Sequence, residues 1–236
     1  MTDWNYGYED ATALRVTRTS YSDHAETYRM QTRQFSRYRG LDNEIRNFVA
    51  HLNPGLIADI GSGSGRDSLF MADLGYRVVA LDSCYPLLRM LRSSGVQTGL
   101  LCGDVMALPI RDNVFSGAIV SGVLLHLPRR LCLPALSEIR RVLGVGGRVL
   151  ISMKRGTDEG WRTTDDFPLP RWFTYYDPDE FSKLCINAGL LPREMLISGR
   201  KDWFTILATP ELNAESHHML DYFEFAKRRH QGGSGN

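Results

Sequence analysis

The stretch Ala58-Asp59-Ile60-Gly61-Ser62-Gly63-Ser64-Gly65-Arg66-Asp67 decides how the chain is read. A short apolar run ends in an acid, glycines follow on alternate positions, and a helix-forming segment begins. Glycines there permit a tight strand-to-helix turn and let a ligand approach the backbone where a Cβ would collide. The helix behind the turn presents unpaired N–H groups and the positive end of its dipole. Alone, the stretch specifies a ligand turn after a first strand; its meaning depends on what lies at fixed distances from it.

Outward from the turn, apolar strands alternate with helical segments. Leu56 to Ile60, Tyr76 to Leu81, Gln97 to Cys102, Phe115 to Val120 and Arg148 to Met153 read as strands. Arg66 to Leu74, Pro86 to Leu91 and Leu131 to Leu143 read as helices, with Gly144 to Gly147 a turn. This is the pattern of an α/β fold, a parallel sheet with helices on both faces. Leu41 to Leu52 carries an apolar helical stripe before Asn53-Pro54-Gly55. Further upstream, residues 1 to 20 read as irregular and Ser22 to Tyr38 as a helix. Tyr21, His24 and Tyr28 share one face of it, either an amphipathic cover or a lid over the turn. Downstream, Lys154 to Tyr176 breaks the alternation and reads as a long aromatic loop. Asp177-Pro178-Asp179-Glu180 opens a helix with a cap and a proline at its first position. Glu194 to Ser198 and Trp203 to Thr209 read as final strands, Glu211 to His230 as a helix and residues 231–236 as a flexible tail. The expected organisation is thus a segment with a lid helix at 1–40, a ligand-binding domain at 41–210 with an insert at 154–176, and a terminal helix and tail at 211–236.

Composition narrows the function classes. The 236 residues are 43% hydrophobic and 23% charged, with Lys+Arg 28 against Asp+Glu 27 and a net charge of +1. Such a balance lacks the basic footprint of a nucleic-acid protein. The four cysteines, Cys84, Cys102, Cys132 and Cys185, form no CxxC or Cys/His ligand pattern, so no metal site is expected. No run reaches the roughly 18 apolar residues of a membrane helix, and the first residues hold no apolar signal core. A cytoplasmic protein without membrane association, monomeric or homodimeric, is the expectation.

Asp82 closes the second strand 21 residues after Gly61, the distance of a ribose-binding carboxylate. Arg66 stands where a dinucleotide fold wants its third glycine, which counts against NAD or FAD. Asp104-Val105 follows the third strand and Ser121 the fourth, so strand ends converge on one adenosine-sized ligand.

With these residues in place, the span from Tyr21 to Thr209 resembles a class I S-adenosylmethionine-dependent methyltransferase of the small-molecule, type 11/25-like kind. The carriers are "ADIGSGSGRDS", "VVALDS", "GDVMALPIRDNVFSGAIVSGVLLHLP", "EIRRVLGVGGRVLIS" and "FTYYDPDEFSKLCINAGL", in this order and spacing. The resemblance implies a Rossmann-like, seven-stranded, mostly parallel sheet with its last strand antiparallel, helices on both faces and a helical amino-terminal lid. It implies S-adenosyl-L-methionine as cofactor. Gly61 and Gly63 would border its methionyl part, Asp82 with Ser83 its ribose, Asp104 and Val105 its adenine, and Ser121 the sulfonium. Tyr21 and Tyr28 match the family's amino-terminal pattern, with Ser22 in place of its acid. Asp59 would order the turn or bind the amino group.

A sulfonium activates its own methyl for in-line displacement, so the protein need only position an acceptor and exclude water. The expected acceptor is a small molecule. If it reacts through oxygen or carbon a base helps, and His126 is the first candidate, with Tyr176 and then Tyr175 behind it. His126 could equally cap the next helix, and the two tyrosines could be core aromatics. Other readings are a transfer-RNA wobble-base methyltransferase, a cyclase that expels methylthioadenosine from the cofactor, and a binding module without turnover.

Overall fold

The computed structural model describes residues 7–95, 98–197 and 200–211. In chain order its elements are α1 (Tyr8–Asp23), α2 (Ala25–Thr32), α3 (Leu41–Ala50), β1 (Leu56–Ile60), α4 (Arg66–Asp73), β2 (Arg77–Asp82), α5 (Tyr85–Ser93), β3 (Gly99–Cys102), β4 (Phe115–Ser121), α6 (Arg129–Val142), β5 (Leu143–Lys154), β6 (Glu159–Thr164), β7 (Phe167–Thr174), α7 (Pro178–Asn187), β8 (Leu190–Leu196) and β9 (Trp203–Pro210). Seven strands form one sheet in the order β3-β2-β1-β4-β5-β9-β8. All neighbouring pairs are parallel except those of β9, which runs antiparallel to β5 and β8.

Alternate residues along each strand face opposite sides, and both sides are covered. Ile57, Val78, Ile119 and Leu150 pack with Leu41, Ile45, Phe48 and Val49 of α3 and Met71 of α4. Ala58, Ile60, Ala118, Val120, Val149 and Ile151 pack with the apolar stripe of α6 (Leu136, Ile139, Val142) and with Phe181 and Cys185 of α7. The chain runs outward from β1 through β2 to β3, then returns to lay β4 on the other side of β1. This reversal opens a crevice at the carboxyl ends of β1 and β4, where open α/β sheets take their ligands.

Four expectations need correction. The helical cover begins at Tyr8, within the stretch read as irregular, breaks at His24 and ends at Thr32, so Tyr38 lies outside it. The buried positions of α1 are Asp10, Ala13, Thr17 and Ser20, at helical spacing but small or polar, which hydropathy does not mark. The aromatic insert is no loop. β6 and β7 pair as an antiparallel hairpin, Trp161 opposite Trp172, and Pro168 and Pro170 sit exposed on an edge strand where no ladder bond is lost. The turn expected at Gly144 to Gly147 is an irregularity inside β5, where pairing jumps from Phe115↔Leu143 to Gly117↔Arg148. Finally, β8 starts at Leu190, ahead of the expected Glu194. Apart from Glu211 itself, the helix read over Glu211 to His230 and the tail lie outside the described residues, as do residues 1–6, Gln97 and Ser198.

Candidate active site

The glycine turn is built by backbone geometry. Gly61, Gly63 and Gly65 have φ of +71°, +56° and +91°, a left-handed conformation that residues with a Cβ resist. The N–H groups of Gly61 and Ser62 donate to the Leu81 carbonyl at 2.7 and 3.0 Å, so the turn is lashed to the end of β2. Asp82 completes the lashing: Oδ2 accepts the Gly63 N–H and Oδ1 the Cys84 N–H, both at 2.7 Å. Burial raises the Asp82 pKa and these backbone donors oppose the rise.

Behind the turn lies a second acidic group. Asp59, 2% exposed, accepts the Ser68 hydroxyl at 2.5 Å and does not reach the cavity described below. Asp67 is neutralised by a bidentate Arg66, with Nε and Nη2 at 2.7 and 2.8 Å. The Arg66 guanidinium also lies 3.9 Å from the Tyr38 ring centre. The arginine that replaces the dinucleotide glycine is thus an internal counter-ion. Burial first, and then the Asp67 charge, hold the Asp59 carboxyl well above the usual carboxylate range. A carboxyl whose pKa is raised by folding binds its proton more tightly in the folded state, so its contribution to stability declines as pH climbs from the ordinary carboxylate range to the raised value. Asp59→Asn keeps an acceptor for Ser68 and removes the titration. The variant should be more stable than the parent at pH 8 by about 1 kcal/mol, and should lose that advantage near pH 4. Urea unfolding at the two pH values checks this; an advantage independent of pH would contradict it.

At the far side of the crevice, His126 is hydrogen-bonded at both ring nitrogens. Nδ1 lies 2.7 Å from the Trp172 carbonyl, which can only accept, so Nδ1 carries the proton. Nε2 therefore accepts from the Tyr21 hydroxyl, 2.8 Å away. Burial pushes the His126 pKa down to about 3, and the nearby Arg171 and Lys154 charges push the same way. The imidazole is neutral and already occupied. The Tyr21 oxygen in turn accepts from Arg171 Nη1 at 3.1 Å. The Arg171 guanidinium lies 3.9, 5.1 and 5.4 Å from the ring centres of Phe167, Phe173 and Tyr21.

Between the two ends is a cavity of about 340 Å³. Its floor is Gly61, Gly63, Asp82, Ser83, Asp104, Val105 and Ser121; Tyr21, Tyr28 and His126 also line it. These are residues expected from the sequence. Tyr175 and Tyr176, the other candidate bases, lie outside the lining. Tyr176 is buried, and its hydroxyl donates to the Arg129 carbonyl at 3.2 Å. Tyr175 stacks on Phe173 at 6.0 Å. Both follow the hairpin: Tyr176 is a core aromatic packed on Phe181, and Tyr175 lies partly buried against the same core. Sequence reasoning missed the roof: Ala11, Leu14, Arg15, Thr17 and Arg18, one face of α1, cover the crevice. Thr17 Oγ1 accepts the Trp172 N–H at 2.9 Å and Ser20 Oγ donates to the Pro170 carbonyl at 2.6 Å, fastening α1 to β7. Asp10 of α1 adds an ion pair at 2.6 Å to Arg130 on α6. Among the described residues no group of three or more His, Cys, Asp or Glu side chains is placed to hold a metal ion, and no helix is long and apolar enough to cross a membrane.

Residues 58–151 match the family described as Methyltransferase domain. A methyltransferase-like protein of Encephalitozoon cuniculi is 33% identical over 151 residues, covering 57% of this chain and 69% of its own length. The chain belongs to the class I S-adenosylmethionine-dependent methyltransferases. A demethylmenaquinone methyltransferase of Renibacterium salmoninarum is 32% identical over 98 residues, 41% of this chain and 40% of that relative, so the shared part is less than half of each. Among solved structures, the 1,6-didemethyltoxoflavin-N1-methyltransferase of Burkholderia thailandensis superposes with a TM-score of 0.71 at 18% identity. That match covers 89% of the methyltransferase described here and 93% of its counterpart, and at such identity it speaks for the fold.

Proposed function

We propose that the methyltransferase carries the cofactor's methyl to a small-molecule acceptor seated at the Tyr21–His126 end of the cavity. The observation behind this reading is a cavity with two chemically different ends under one helical roof. Asp82 and Asp104 occupy one end, a phenol and a neutral imidazole the other.

The first end fits the cofactor. Each Asp82 oxygen spends one lone-pair direction on a backbone N–H and keeps another for a ribose hydroxyl. Asp104 accepts the Met106 N–H through Oδ1 at 2.9 Å, which orients its second oxygen for the adenine amine. A Cβ on Gly63 would come within 3.3 Å of the Tyr28 ring, so the bare backbone leaves a slot for the methionyl chain. The bound cofactor supplies a methyl on a sulfonium, whose leaving group is a neutral thioether. What the protein adds is alignment and exclusion of water. The α1 roof excludes water, and Ser121 and His126 border the acceptor's approach. His126 fixes the direction of the Tyr21 hydroxyl rather than taking a proton, since its own pKa is low. The relatives support a small acceptor: the demethylmenaquinone and didemethyltoxoflavin enzymes are named for small molecules.

Incubation with S-adenosylmethionine followed by mass spectrometry tests the reading. S-adenosylhomocysteine should appear only when a small-molecule extract is added. Methylthioadenosine released from the cofactor alone would replace methyl transfer by internal cyclisation. S-adenosylhomocysteine formed only with transfer RNA would overturn the small-molecule assignment.

A further inference from the structure

A guanidinium, a phenol, an imidazole and a peptide carbonyl form one hydrogen-bonded row at the Tyr21 end, and the sense of every bond in it is fixed. A guanidinium can only donate and a carbonyl can only accept. Arg171 Nη1 donates to the Tyr21 oxygen at 3.1 Å, and the Trp172 carbonyl takes the His126 Nδ1 proton at 2.7 Å. His126 Nε2 is therefore bare and takes the Tyr21 proton at 2.8 Å. Arg171 lies behind the cavity wall, against the rings of Phe167, Phe173 and Tyr21. Of the row, Tyr21 and His126 border the cavity.

Both imidazole nitrogens are spent, so the polar atom that the row leaves for a ligand is the Tyr21 oxygen. Its proton is committed to His126 and one lone pair to Arg171, which leaves a lone pair and nothing to donate. The neighbouring hydroxyls of Thr17 and Ser121 can turn to either sense and impose no choice. The Tyr21 oxygen does impose one: a carbonyl or carboxylate set against it meets another lone pair, whereas an N–H or O–H meets a partner. A hydroxyl or carbon acceptor must also lose a proton as it attacks, and among the described residues no free base borders this end. Asp82 and Asp104 are tied to backbone N–H groups at the other. An amine attacks with a lone pair that it already has. The charges of Arg171 and Lys154, which disfavour a proton on His126, also favour the neutral form of an amine bound beside it.

We propose that the methyl acceptor is a primary or secondary amine, held by an N–H···O hydrogen bond to the Tyr21 oxygen with its lone pair turned to the methyl. This rests on the methyl-transfer reading above. The nitrogen lone pair forms the new N–C bond and the pair of the broken S–C bond returns to sulfur. The products are a methylated ammonium and S-adenosylhomocysteine, and the ammonium gives its surplus proton to water on release.

A small-molecule extract treated with formaldehyde and cyanoborohydride, which make primary and secondary amines tertiary and spare hydroxyl groups, provides the first test. Formation of S-adenosylhomocysteine should fall roughly tenfold or more relative to the untreated extract. Formation unchanged by the treatment would overturn the amine assignment and leave methyl transfer standing. No formation with either extract would remove the methyl-transfer reading, and this one with it. The second test titrates aniline and 4-methylpyridine into the S-adenosylhomocysteine complex of the full chain, followed by ligand-observed NMR. The two probes are equal in size, neutral at about pH 8 and opposite in hydrogen-bond sense. Aniline should bind roughly tenfold or more tightly, and Tyr21→Phe should bring the two within about threefold of each other. Retained binding of 4-methylpyridine by the variant reports an intact cavity. Equal binding by the parent, or a preference for aniline that survives Tyr21→Phe, would overturn the assignment. Should Tyr21→Phe fail to fold, nitrogen-15 NMR of His126 in the parent decides. Nε2 should stay unprotonated when aniline is added, and a proton appearing on it would overturn the proposal.

Discussion

Asp82→Ala should raise the dissociation constant for S-adenosylhomocysteine roughly hundredfold or more. Two contributions combine. A carboxylate that accepts ribose hydroxyls makes charge-assisted hydrogen bonds worth about 1.5–3 kcal/mol each, and about 1.4 kcal/mol is a factor of ten in affinity. The same carboxylate also accepts the Gly63 and Cys84 N–H groups at 2.7 Å, so its removal frees the glycine turn from β2 before any ligand arrives. Asp82→Asn separates little from alanine here. Its amide NH₂ cannot accept, and it would confront one of the two N–H donors whichever way it turned. Calorimetric titration of parent and variants gives the answer, and an unchanged affinity in Asp82→Ala would remove Asp82 from the ribose.

Gly61→Ala should destabilise the fold by about 3 kcal/mol, the sum of a left-handed backbone at an alanine and an overpacked contact. Gly61 has φ of +71°, and a Cβ there would overlap Val123 Cγ2. Val123 borders the cavity, so whatever room it yields is taken from the ligand, and cofactor affinity should fall too. Gly75 is the control. Its φ is +87°, but a Cβ there meets nothing within 4 Å, so Gly75→Ala should cost only the backbone part, about 1 kcal/mol. Urea unfolding of both variants separates strain from collision; equal losses would show that Val123 gives way freely.

The sheet and the Gly61–Asp82 end of the cavity were legible because both are written locally. Leu56 to Ile60 and Phe115 to Ser121 are short apolar runs that stop at a glycine or an acid, and Asp82 falls a fixed distance from Gly61. A lid was legible at Tyr21 and Tyr28, but the part of the roof from Ala11 to Arg18 was not. The inner positions of α1 are Asp10, Ala13, Thr17 and Ser20, chosen for close approach and hydrogen bonding to β7 rather than for hydropathy. The hairpin hid behind Gly156, Gly160, Pro168 and Pro170, residues that punctuate most chains but are tolerated on an exposed edge. His126 was readable as an imidazole near the cavity. Its occupation by Tyr21 and Trp172, from positions 105 residues before and 46 after, is a property of the assembled fold.

The fastening of α1 to β7 has a consequence for the order of events in turnover. One peptide residue, Trp172, does two tasks: its N–H is held by Thr17 on the roof, and its carbonyl holds the His126 ring. Tyr21, which His126 orients, is itself on α1. Raising the roof to admit or release a ligand thus pulls on the imidazole's anchor and withdraws the phenol in the same motion. An open mouth and an assembled acceptor end exclude each other. On the proposed methyl-transfer reading, the cofactor would meet an organised acceptor end only with the roof in place.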